Sequence, residues 1–508
     1  MTSTLGRTRW QRCVVQLTNA KRIPRRSQHT QGYQSVGSFH SDDLGMLMSL
    51  SDEEYQAPPL PVAVEAANEK SPSLQEDGSD FLLDRENWTF LNHGAFGAAL
   101  KVGHRRAELW RWHLEQQPLR YFDRDLLPNL AYATRRLAAF CSESRNNSDK
   151  QARVRQGITL IQNATAGLNS VLKGYRRVYG PDSRVILWDT SYGSLKKLAA
   201  HVFEPHQIIE IPFQSTYMSR FAENDPHQVF LEALDDTIHR HDCATIGHCL
   251  LVLDHTTSNT AINMPIEEIA SHVKQTYDNI QVAVDGAHGL LAQKVDLEAY
   301  CGPGGTTSNN IDYYVANGHK WLSCPRGVGM LFCPDADLRE TVLAEPAIIS
   351  HGVDETDLLS RFVWDGCRDY AAALALPAVL DYWEARNVDS VRSNMKHSLV
   401  EGIQCLADHW HDSSCGETDW LRAGITLVPT SLLGPMALVR LPRIICGSPT
   451  DIKTSKEAKE IQDFLFDHHI EVPIKCINGE LFVRVSCHVY NEVAEFDRLA
   501  KVILTFPN

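Results

Sequence analysis

Short apolar runs punctuate the chain at 158–161, 184–188, 208–211, 249–253, 281–284, 313–316 and 328–333. Each is four to six residues long and mostly apolar rather than alternating, the pattern of strands buried on both faces of a sheet. Helical spacing fills the gaps, at 102–115 and at Leu168, Val171 and Leu172 behind Asn163, Ala164 and Thr165. Strands alternating with helices predict an α/β fold, with a large domain built on a mostly parallel seven-stranded sheet.

Beyond the helical stretch around Pro377 the pattern changes. Apolar runs at 436–441, 470–475 and 481–486 interleave with helical patterns at 455–468 and 493–504. They predict a smaller C-terminal α/β domain over 395–508. A long helix broken by Pro377 joins it to a large domain over 79–394. Residues 41–78 are acidic and contain Pro and Ser, and they read as a disordered linker.

Charge and composition refine this picture. Residues 1–40 hold no acid and seven basic side chains: Arg7, Arg9, Arg12, Lys21, Arg22, Arg25 and Arg26. An arginine-rich, acid-free start without an apolar h-region predicts an organellar transit peptide, mitochondrial first, with plastid or cytoplasm as alternatives. The whole chain carries −14, so the remainder carries −14 − 7 = −21, which argues against a nucleic-acid partner. No apolar run reaches the length of a membrane helix, and no membrane partner is expected. The 13 cysteines include no C-x-x-C pair and read as small buried hydrophobes.

The candidate chemistry sits at the ends of the strands. The run 281–284 delivers Asp285, the run 313–316 delivers Asn317, His319 and Lys320, and the run 249–253 leads to His255, Ser258 and Asn259. Ligands of open α/β sheets bind beyond the carboxyl ends of strands, so Asp285 and Lys320 can share one site. A lysine beside a carboxylate suits pyridoxal 5'-phosphate (PLP). The amine bonds to the aldehyde and the acid keeps the pyridine nitrogen protonated. A structural ion pair explains the same two residues taken alone. A metal site of Asp285, His288 and His319 matches no short ligand spacing, and no metal is expected.

The motifs VDGAH, NGHKW and PRGVG together resemble the class V aminotransferases (PLP-dependent transferase fold type I). HKWL points to the isopenicillin N epimerase-like branch. The resemblance spans about residues 85–505. It implies PLP on Lys320, with Asp285 at the ring nitrogen and His288 at the phenolic oxygen. Ala164, Thr165, Asn317 and His319 are implied at the phosphate, Tyr192 on the ring face and Ser258 beside the cofactor. It also implies Asn92, His93 and Arg484 as contacts for an amino-acid substrate, Arg484 gripping the α-carboxylate. Family members form homodimers, and the same is expected here.

Two positions depart from the pattern. Cys367 replaces a threonine that reaches the partner's phosphate, and a thiol is a poor donor there. Asn259 stands where relatives usually have proline. Arg368 and Asp369 are retained and are expected to pair.

The implied enzyme acts at Cα of an amino acid or an amino-acid-derived substrate. Epimerase, lyase and transaminase outcomes stay open, since they diverge only after the Cα proton has left. Cysteine desulfurase or C–S lyase activity is the alternative, with Cys476 as the thiol to consider. A PLP-fold binding protein without turnover is the alternative of another class.

Overall fold

The computed structural model describes residues 43–65, 80–142, 148–245, 247–302, 310–411, 420–446 and 452–507. A short strand β1 (Thr89–Phe90) precedes the main sheet. That sheet holds β2 (Ile158–Ile161), β3 (Ser183–Trp188), β4 (Ile208–Ile211), β5 (His248–Asp254), β6 (Ile280–Gly286), β7 (Tyr313–Asn317) and β8 (Gly329–Phe332). Their order is β2-β8-β7-β6-β5-β3-β4, and only β8 runs against the rest. The seven apolar runs of the sequence are these seven strands.

Alternation within each run sends its side chains into two separate cores. Leu187, Leu250, Val252, Ala283 and Val315 face one, while Trp188, Leu251, Leu253, Val284 and Tyr314 face the other. Both faces are therefore dry, which is why the runs show no polar alternation.

The small sheet contains β9 (Met436–Arg440), β11 (Ile474–Ile477) and β12 (Glu480–Ser486), in the order β11-β12-β9 and antiparallel throughout. The expected strand 470–475 is broken at Pro473, which has no N–H to give a ladder. Its first half, β10 (Ile470–Glu471), pairs instead with β1. That pairing carries Leu91 and Asn92 onto the small sheet, where Ser486 N donates to the Leu91 carbonyl.

Some expectations are revised. Residues 43–65, read as part of a linker, include the helix Leu44–Ser49 with Leu44 and Met48 buried. Arg135 holds this segment by donating to the carbonyls of Leu47 and Leu50 and to the Asp52 carboxylate. Its apolar LGMLMSL stretch outweighs the acidic composition around it. The long helix is three helices, Ala371–Leu374, Leu376–Glu384 and Val388–Trp410, with Pro377 in the first turn of the second, where a missing N–H costs nothing. The targeting stretch 1–40 lies outside the described residues, as does most of the Gly/Ser/Thr/Asn-rich loop at 302–310.

Candidate active site

Parallel pairing sets the site. Asp254 at the end of β5 lies level with Asp285 near the end of β6, and Asp285 lies level with Val315 on β7. Two carboxylates thus emerge side by side, next to the turn that carries Asn317, His319 and Lys320. A cavity of about 250 Å³ opens at this edge, lined by Thr165, Tyr192, Asp254, Asp285, His288 and Lys320 among others.

Lys320 Nζ lies 3.0 Å from His288 Nε2. Trp321 Nε1 donates to His288 Nδ1 at 3.1 Å, which leaves the proton of a neutral imidazole on Nε2, aimed at the lysine. Burial keeps His288 neutral, its pKa well below the usual range. Burial also lowers the Lys320 pKa to about 8, against the pull of Asp285 and helped by Arg484. The amine therefore gives up its proton far more readily than a free lysine, as a nucleophile and base must.

Asp285 is buried and accepts the Ala287 N–H at 3.0 Å. Burial raises its pKa, while that hydrogen bond and Lys320 draw it back. Asp254 is not among the residues expected from the sequence, although it ends its strand as Asp285 does. It accepts from Ser191 Oγ at 2.9 Å and from the Tyr192 N–H, so it anchors the turn that presents Tyr192. Burial and the neighbouring Asp285 push its pKa up to about 8.

A carboxyl that takes up a proton on folding loses stability as pH rises from its unfolded toward its folded pKa. The cofactor-free Asp254→Asn protein is therefore expected to out-stabilise the wild type increasingly between about pH 4 and pH 8. Thermal-shift curves that stay parallel across that window would contradict the assignment.

The helix Ala164–Tyr179 begins at this edge. Its N-cap Asn163 accepts the Ala166 N–H, and Asn317 Oδ1 accepts the Ala164 N–H at 2.9 Å. The Thr165 N–H and hydroxyl are left for an anion. The Ala164 amide, expected to be free, is already taken, so its part in the cradle is to fix Asn317. Tyr192 is half-exposed at the start of the helix Gly193–Val202, with its ring on the cavity. His319 lines the cavity, and its Nδ1 is buried without a hydrogen-bond partner among the described residues.

Behind Ser258, which lines the cavity, Arg484 is buried and donates to the Ser258 carbonyl and, at 3.2 Å, to Asn92 Oδ1. Its Nε is buried without a hydrogen-bond partner among the described residues. Burial lowers its pKa to about 10, so it stays cationic at neutral pH.

His93 departs from expectation. It does not line the cavity; its Nδ1 meets Tyr490 Oη at 2.8 Å, its Nε2 meets the Lys320 carbonyl at 3.1 Å, and its ring stacks on His488. Nε2 is spent on the lysine's backbone and Nδ1 on Tyr490. Gly97 makes the same close approach. Its φ is +69°, and a Cβ there would lie 2.0 Å from the His319 carbonyl oxygen. The expected Arg368–Asp369 pair is also replaced: Arg368 binds Asp365, and Asp369 binds Arg111 at 2.8 Å. Cys367 is exposed.

Comparison with known proteins places this arrangement. The family model described as aminotransferase class-V matches residues 143–408, more than half of the chain. The chain belongs to the class V aminotransferase family. It is accordingly a PLP-dependent enzyme. This class V chain is 24% identical over 454 residues to a probable chloroplastic L-cysteine desulfhydrase of Arabidopsis thaliana, covering 85% of each. It is 24% identical to an isopenicillin N epimerase of Streptomyces clavuligerus, covering 81% of this chain and 93% of the relative. Among solved structures, the cystine C–S lyase C-DES with its product cysteine persulfide superposes with a TM-score of 0.58 at 18% identity. That match covers 83% of this chain and 98% of the lyase.

The residues present suit PLP. The Thr165 amide and hydroxyl at the helix start offer an anion its donors at one end of the cavity, and the Lys320 amine and Asp285 carboxylate line the same space.

Proposed function

We propose that this enzyme acts at Cα of an α-amino acid, with Lys320 as the base. The observation that carries the reading is the Lys320 amine held 3.0 Å from His288, itself fixed by Trp321, on a cavity that Asp285 also lines.

Thr165, Asn317 and His319 would hold the phosphate, Tyr192 and Ser258 would flank the ring, His288 would meet its phenolic oxygen, and Lys320 would hold the aldehyde. When bound, PLP supplies an electron sink for the bonds of Cα. Asp285 supplies the fixed negative charge beneath that sink. Arg484, whose charge is felt at Lys320 and His288, has its Nε free for a substrate α-carboxylate. With the carboxylate held there, Cα lies between a cation that orients it and an amine that takes its proton. His288 Nε2–H returns a hydrogen bond to that amine.

Proton removal is common to epimerisation, transamination and elimination. The epimerase-like reading rests on the HKWL motif, and a C–S lyase reading is favoured by the desulfhydrase relatives and the lyase structure. Transfer of sulfur to a protein cysteine is not favoured. Cys476 lines a different cavity and donates to the Lys453 carbonyl at 3.2 Å.

The test is exchange of the Cα hydrogen for deuterium in heavy water across a panel of amino acids, read by NMR. Sulfide release and product chirality assign the later step. Holoenzyme that exchanges no amino acid would overturn the reading.

A homodimer belongs to the same proposal. Phe96 is 69% exposed although it lines the cavity mouth, and Ile348 and Ile349 are exposed as well, which suits cover by a second copy. Sedimentation of the holoenzyme at the mass of one chain would refute it. Import directed by residues 1–40 is proposed too, and a fluorescent fusion that stays diffuse in the cytosol would sink it.

A further inference from the structure

A second cavity, of about 470 Å³, opens one residue further along the same loop: Ser258 lines the one around Lys320 and Asn259 lines this one. It lies where the loops after β3 and β5 meet the small sheet. Asp189, Gln214 and Asn259 form one wall, and Gln462 and Lys475 form the other.

Two cations share the small-sheet face here. Lys475 pairs with Phe482 across β11 and β12, so Lys475 and Arg484 project from the same face, one diagonal step apart. Neither pairs with a carboxylate among the described residues. Arg484 uses only a carbonyl and an amide oxygen, and the Lys475 amine makes no hydrogen bond or ion pair among the described residues. Asp189, the acid in the cavity wall, is spent on a turn, where both its oxygens accept the Gln214 N–H at 2.9 Å. Lys459 is paired with Asp463.

Two like charges on one half-buried face repel unless an anion lies between them. Burial and Arg484 both lower the Lys475 pKa, and an anion seated between the two side chains would favour the charged amine again.

We infer that the substrate is an α-amino acid bearing a second carboxylate, with its α-carboxylate on Arg484 and its distal carboxylate on Lys475 and Asn259 in the second cavity. This rests on the reading of the Lys320 site as one that binds an amino acid. The distal acid turns the repulsion between the two cations into a two-point grip. An uncharged side chain of equal length leaves Lys475 desolvated and unpaired.

The experiment titrates PLP-loaded enzyme with L-glutamate, L-2-aminoadipate and uncharged L-norleucine, following the visible spectrum of the cofactor. At least one acidic ligand is expected to act at a concentration about tenfold or more below norleucine. Lys475→Met is expected to erase that preference, and Lys475→Arg to restore most of it. Equal response to acidic and neutral ligands, or a preference that survives Lys475→Met, overturns the inference and leaves the Cα reading standing.

A calorimetric arm with adipate, which has no amine, separates the two proposals. Adipate binding lost in Lys475→Met, with no amino acid changing the spectrum, keeps the two-cation site and rejects the amino-acid reading. A silent spectrum with no Lys475-dependent adipate binding rejects both.

Discussion

Lys320→Ala protein is expected to lose the visible absorbance of the bound cofactor and to drop in turnover by at least about 10³-fold. Two roles fall on one atom. Among the described residues lining the cavity Lys320 carries the one amine, so covalent capture of an aldehyde ends with its removal. The same amine is the proposed base at Cα, and a positioned general base is worth about 10²–10⁴. His288 cannot replace it, because its Nδ1 is committed to Trp321 and burial keeps its basicity far below that of Lys320. Absorption spectra and single-turnover exchange of the Cα hydrogen measure the two roles separately. Retention of the cofactor band would end the assignment of Lys320.

Asp285→Asn is expected to bind the cofactor and to turn over about 10²–10³ times more slowly, a rise of about 3–4 kcal/mol in the barrier. Asparagine keeps the shape and still accepts the Ala287 N–H, so the strand end is preserved and only the charge goes. The acid next to it is no substitute. Asp254 is tied to Ser191 and Tyr192, and burial favours its neutral form. Turnover within threefold of wild type would show that the negative charge of Asp285 is not used. Crystals or circular dichroism that reveal a displaced β6 would identify a folding effect instead.

The two residues behind these experiments are legible in the sequence for a plain reason. A strand buried on both faces is a run of apolar residues, and the chemistry of an open sheet collects where such runs stop. Asp285, Asn317 and Lys320 all come directly after runs, and the motifs around them match one family. Arg484 is visible for the related reason that it interrupts an apolar alternating strand. His93 reads as a substrate contact, and its neighbours in sequence give no hint of Tyr490 or of the Lys320 carbonyl, the partners that take both its nitrogens. Arg368 takes a different partner from the one expected because adjacency in sequence says little about a turn's geometry; Asp365 lies within reach and Asp369 turns toward Arg111.

The sequence by itself determined the strands, the large sheet, the family and the residues at the strand mouths, because these come from local periodicity and from motifs read in one dimension. Tertiary structure alone decided which of those residues face each other. The register of β5 against β6 sets Asp254 beside Asp285, and the register of β11 against β12 sets Lys475 beside Arg484. Strand order and register are long-range properties settled by packing and hydrogen bonding across the sheet, and the charges that tune this site are felt between residues far apart along the chain.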